Sequence, residues 1–161
     1  MCAVTGEAER QSTDLAETRS EQKTGKSMNL MGILGGLGLF MIGGFHLMIA
    51  KQGALGLIGR NGAIGIRTRK TQASDAAWDA AHRAAAPLMR TVGIASLIFG
   101  AALVLSGFVW QQENPPAVTM IVFALGYGAV LVGSVPITIK ANAAASRAHA
   151  NQEQSIFSGR R

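Results

Sequence analysis

The sequence predicts an all-α membrane protein, with three transmembrane helices and a short cytoplasmic interfacial amphipathic helix between the first two. Three observations predict it. The 161-residue chain is 48% hydrophobic but only 15% charged, whereas soluble domains carry about 25% charged residues. The deficit is concentrated in windows: Met28 to Ala50, Thr91 to Gln112 and Asn114 to Ile139 contain no Lys, Arg, Asp or Glu. Each window supplies the roughly 20 residues that a helix needs to cross the hydrocarbon core, where only a backbone with its hydrogen bonds made is tolerated.

Taken in order, residues 1–27 form a polar tail rich in Glu, Thr, Ser, Gln and Ala, with too few large apolar side chains to build a core. Disorder is the expectation for such composition. A membrane domain follows over residues 28–140. Its first helix is expected over about 29–50, with Gly32 and Gly36 in a GxxxG pair and Gly43 one heptad later. A signal peptide is the competing reading, but the window is long and lacks a small-x-small cleavage end. His46 lies inside this window, where no acidic residue could pair with it; a hydrogen bond to a neighbouring helix is expected.

The second helix is expected over about 88–110, with Gly93, Gly100 and Gly107 repeating every seven residues on one face. Gln111 to Asn114 then form a tight hairpin. Asn114 suits an N-cap, and Pro115 and Pro116 suit a first turn. The third helix is expected over about 117–139, with Gly126 and Gly133 a heptad apart. Pro136 cannot donate to the carbonyl of Val132, which predicts a bend. All these small-residue stripes read as helix-packing faces. Residues 141–161 form a polar tail whose alanine-rich start could carry the helix into water.

The net charge of +6 and pI near 10.3 do not point to nucleic acid, because the basic residues flank the apolar windows. Such flanking charge sets topology, and it also attracts anionic lipid. The middle loop carries Lys51, Arg60, Arg67, Arg69, Lys70 and Arg83, and the C-terminal tail carries Lys140, Arg147, Arg160 and Arg161. Against these ten stand Arg10, Arg19, Lys23 and Lys26 in the N-terminal tail. The positive-inside rule therefore predicts an outer N-terminus, with the C-terminus and loop 51–87 cytoplasmic. Trp110 then falls at the outer interface.

A single cysteine, Cys2, excludes an internal disulfide and any cysteine-built metal site. No metal or cofactor is expected. Asp79 and His82 are one turn apart, but no nucleophile completes a catalytic site. The absence of acidic residues from every membrane window also argues against a transport pathway.

The loop over 53–87 carries the most information. Gly53, Gly56, Gly59, Gly62 and Gly65 recur at every third position, too briefly and with too little proline for collagen. No GxGxxG or Gly-Lys-Ser/Thr pattern occurs there to cradle a nucleotide. Glycine at this density permits an irregular backbone folded onto the helix ends. Ser74 reads as an N-cap and Asp75 as a first-turn acid. The helix from Asp75 to Ala86 is expected to lie on the inner interface, dipping Trp78 toward the headgroups, with Asp79 paired to Arg83. Pro87 then kinks the chain or begins the next helix.

Asn61, Gly65, Ile66, Arg67, Thr68 and Thr71, followed by Ser74, Trp78, His82 and Arg83, resemble the signature loop of the SdpI family of bacterial membrane proteins. The likeness is close over about 57–105. It implies a non-catalytic module related to an immunity protein that protects its producer from a membrane-active peptide toxin. The named residues would then form the interaction surface, and Arg67 would shape the loop by binding its carbonyls or Asp79. The implied partners are the lipid bilayer and another membrane protein or a cytoplasmic regulator, with self-association compatible with the glycine faces. An accessory subunit of a larger bacterial membrane complex is the alternative.

Overall fold

The computed structural model describes residues 29–60, 63–110 and 116–160, and among them all regular structure is helical. Three helices follow in order: α1 (Leu30–Ala54), α2 (Asp75–Val109) and α3 (Ala117–Ser158). Each is long and apolar enough to cross a membrane. The expected polar tail over 1–27, the 111–114 hairpin and the Asn114 cap lie outside the described residues.

Asn29 caps α1, its side-chain oxygen accepting from the amide of Gly32 at 3.3 Å. The helix ends where Leu57 N–H turns back to the carbonyl of Gln52 at 2.9 Å. Helix α2 runs antiparallel beside it and is the centre of the bundle, since α1 and α3 both pack along it and meet each other only briefly.

The α1–α2 seam is built from glycine pairs. A Cβ on Gly36 would stand 2.6 Å from the carbonyl oxygen of Gly100, and one on Gly43 would stand 2.8 Å from that of Gly93. Gly32 meets Gly107 in the same way, with the Gly107 amide 3.0 Å from the added atom. The heptad spacing on both helices thus aligns three places where backbone touches backbone. In lipid, where apolar burial drives association weakly, such contact is what small residues contribute. On the α3 side the same logic seats side chains: Gly126 makes room for Leu39 and Phe99, and Gly133 for Val92.

At 1.5 Å per residue α2 is about 52 Å long and α3 about 63 Å, well beyond a hydrocarbon core of about 30 Å. Both overshoot at the end that carries the α1–α2 loop. There the buried residues Ala77, Ala81 and Ala85 of α2 join Ala141 and Ala145 of α3 in one core cluster.

This packing corrects the expected interfacial helix. Residues 75–86 are the first turns of α2, continuous through Pro87, and they do not form a separate element. The helix tolerates Pro87, whose usual cost of about 3 kcal/mol is offset by the buried face ahead of it. Trp78 is 1% exposed, so its ring is in the core and not in the headgroups. Helix α3 likewise runs on through Pro136 to Ser158. His46 does not reach another helix: its Nδ1 lies 2.9 Å from the carbonyl of Ile42 in α1 itself.

Candidate functional site

The loop between α1 and α2 is held by two rings on consecutive turns of α2. Ser74 starts that helix by accepting from the amide of Ala77 at 3.1 Å. Trp78 and His82 follow, their ring centroids 4.2 Å apart and tilted by 42°. Trp78 Nε1 donates to the carbonyl of Ile58 at 2.7 Å. The Ile66 amide donates to His82 Nε2 at 2.9 Å. The two rings therefore fasten the loop on both sides of residues 61 and 62.

These partners also define the state of His82. An amide N–H can only donate, so Nε2 accepts and the ring proton sits on Nδ1, which is 2.8 Å from the carbonyl of Trp78. Both ring nitrogens of this buried side chain are occupied. The expected neighbour Asp79 is not its partner, and no ion pair joins Asp79 to Arg83 among the described residues.

Gly65 lies directly over the rings. Its φ of +130° is a conformation L side chains rarely adopt, and a Cβ there would come within 2.6 Å of His82 Nε2 and 2.9 Å of the Trp78 ring. Both constraints require glycine.

Beyond Ile66 two threonines close a small network. Thr71, fully buried, donates its hydroxyl to the carbonyl of Ile66 at 2.7 Å and accepts from the amide of Thr68 at 2.9 Å. Thr68 accepts from the amide of Thr71 at 3.2 Å and donates its hydroxyl to Asn142 Oδ1 on α3. Each hydroxyl thereby uses one donor and one acceptor. The network ties the loop to a helix 74 residues later in sequence.

Arg67 shapes the loop, though not through Asp79. With its oxygen turned toward the guanidinium, the Gln72 amide accepts from Arg67 Nε at 3.0 Å and Nη2 at 3.2 Å. Arg60 adds an exposed contact to Asp75 at 2.8 Å and a bond to the Gln72 carbonyl at 3.2 Å. Arg69 and Lys70 are exposed. Arg83 leaves the loop cluster and lays its guanidinium against Gly56, whose φ is +69°.

The structure thus gathers Gly65, Thr68, Thr71, Ser74, Trp78 and His82, with Arg67 at the rim. Asn61 lies outside the described residues. Sequence reasoning missed Gln72, the Ile58 carbonyl and Asn142. Asn142 alone carried a signal, as a poor helix former within an alanine run.

Three helices long and apolar enough to span a membrane, with a folded loop fastened to the start of the central one, define a multi-pass membrane protein. Residues 57–137 match the model of the SdpI/YfhL protein family. The match covers half of the chain, taking in the loop, α2 and the apolar part of α3, and the protein belongs to that family. Comparisons with curated proteins and with solved structures return no match.

Proposed function

We propose that this protein is a non-catalytic membrane module that protects the cell against membrane-active peptides or envelope stress, using its loop as the surface that engages a partner. One observation carries the reading: the buried family-motif side chains are spent on fixing the loop. His82 has no nitrogen left for proton transfer unless the Ile66 bond breaks. What the loop offers to a partner is its outer rim, where Arg69 and Lys70 are exposed. A cytoplasmic loop and C-terminus follow from the excess of basic residues at that end. The partner is then a cytoplasmic regulator or the inner face of another membrane protein.

The test is deletion of the gene, followed by challenge with a panel of membrane-active peptides. Heightened sensitivity is expected, restored by the wild type and not by a Trp78→Ala form. Unchanged sensitivity across the panel would count against a protective role. A reporter fused after Arg161 should be active in the cytoplasm; activity only outside it would reverse the orientation.

A second reading, an accessory subunit of a larger membrane complex, is favoured by Gly44 and Gly128. An added Cβ at either meets nothing within 4 Å, which leaves the backbone at these two glycines open to close approach by another helix. Native sizing in mild detergent separates the readings, because a small lone particle excludes a stable complex.

A further inference from the structure

On the outer side of α1 and α2, away from α3, lies a groove of about 790 Å³. Its walls change character in parallel on both helices. Nearer the bilayer centre it is lined by Leu47 of α1 and Ile94 of α2, and one turn nearer the loop by Lys51 and Arg90. Arg83, two turns before Arg90 on α2, completes the cationic end, its Nη2 positioned 2.8 Å from where a Cβ on Gly56 would stand. No acidic residue lines the groove. Among the described residues none of these three cations forms an ion pair, and Asp79 leaves Arg83 unneutralised.

We infer that this groove binds an anionic phospholipid, with the headgroup phosphate held by Lys51, Arg83 and Arg90 and the start of an acyl chain along Leu47 and Ile94. The charge and the direction of the gradient select the occupant. Three exposed cations at the depth where the apolar windows end attract an anionic headgroup. The apolar floor runs toward the bilayer centre, as the chain of a lipid does. Basic pockets between transmembrane helices are known headgroup sites, and each cation near the surface strengthens binding about fivefold. Arg83 belongs to the family motif yet forms no hydrogen bond to the loop among the described residues, and this site gives it a role. The inference stands apart from the protective role proposed above, since it needs no partner protein.

The full chain, purified in a neutral detergent, is titrated with phosphatidylglycerol, with phosphatidylcholine and with inorganic phosphate while thermal unfolding is followed. Only phosphatidylglycerol is expected to raise the midpoint. In the K51Q, R83Q and R90Q single variants its half-saturating concentration should rise about fivefold each. R147Q, at an exposed position on α3 away from the groove, should leave it unchanged. An equal shift from phosphatidylcholine, or a shift from inorganic phosphate alone, overturns the inference. Should the variants fail to fold, wild-type protein extracted from equimolar phosphatidylglycerol and phosphatidylcholine vesicles decides. Its retained lipid must be enriched in phosphatidylglycerol, and equal retention of both refutes the site.

Discussion

The amide of Ile66 donates to Nε2 of His82 at 2.9 Å, across 16 residues of sequence. This bond joins a loop backbone that has no regular structure of its own to the second turn of a long helix. It is paired with the Nδ1 bond to the Trp78 carbonyl, so the imidazole bridges helix and loop.

Replacing His82 separates its packing from its hydrogen bonding. His82→Phe keeps a ring against Trp78 but leaves the Ile66 amide without an acceptor, at an expected cost of about 1–3 kcal/mol. His82→Ala adds a cavity and should cost more, about 2–5 kcal/mol in total. Thermal unfolding in detergent gives the order. Limited trypsin digestion gives the place, with faster cleavage expected after Arg67, Arg69 and Lys70 in both variants. Cleavage no faster than in wild type would mean that the ring does not hold the loop.

Gly65→Ala should destabilise by about 1–3 kcal/mol from backbone strain alone, with displacement of the rings added. Gly59→Ala is the matched control, since an added Cβ there meets nothing within 4 Å, and it should be close to neutral. Equal melting of the two variants would show that the glycine at position 65 is not required by the Trp78–His82 pair.

Much of this architecture is legible in the amino-acid sequence alone. Charge-free windows locate membrane spans because lipid excludes charge so strongly, and the heptads of Gly36–Gly43 and Gly93–Gly100 survive as real backbone contacts because the bilayer offers few other ways to hold helices together. The environment of Trp78 was not legible. Alanines at 77, 81 and 85 with one tryptophan describe a stripe that fits a headgroup surface or a neighbouring helix equally well. The choice was made by Ala141 and Ala145, distant in sequence and themselves ambiguous. Pro87 deepened the error, since a local rule for ending helices was overridden by packing on the preceding turns. Arg67 shows the same limit on a smaller scale: its charge suggested Asp79, while the short Thr68–Thr71 turn delivers Gln72 to it instead.

The α1–α2 seam predicts a sharp dependence on residue size. A Cβ at Gly36 would press on the Gly100 carbonyl at 2.6 Å, and backbone cannot yield as a flexible side chain does. Gly36→Ala should therefore lower the unfolding midpoint in detergent, and Gly36→Leu should prevent the two helices from closing. Gly44→Ala, on an open face of the same helix, should do neither. A tolerated Gly36→Leu would mean that the helices do not meet along this stripe.

Thr71 offers the most discriminating substitution in the loop. Its hydroxyl donates to the Ile66 carbonyl and accepts from the Thr68 amide, and the side chain is fully buried. Thr71→Val preserves shape while stranding both backbone groups away from water, which should cost about 2–4 kcal/mol. Thr71→Ser keeps the hydroxyl and loses only a methyl, at about 1 kcal/mol. The valine form should also loosen the Thr68–Asn142 link, because the Thr68 amide loses its acceptor and the turn that presents the Thr68 hydroxyl to Asn142 is no longer closed. Amide hydrogen exchange reads this directly: the protection of residues 66–72 should fall in Thr71→Val and persist in Thr71→Ser. If the two variants exchange alike, methyl packing and not the hydroxyl network holds the loop against α3.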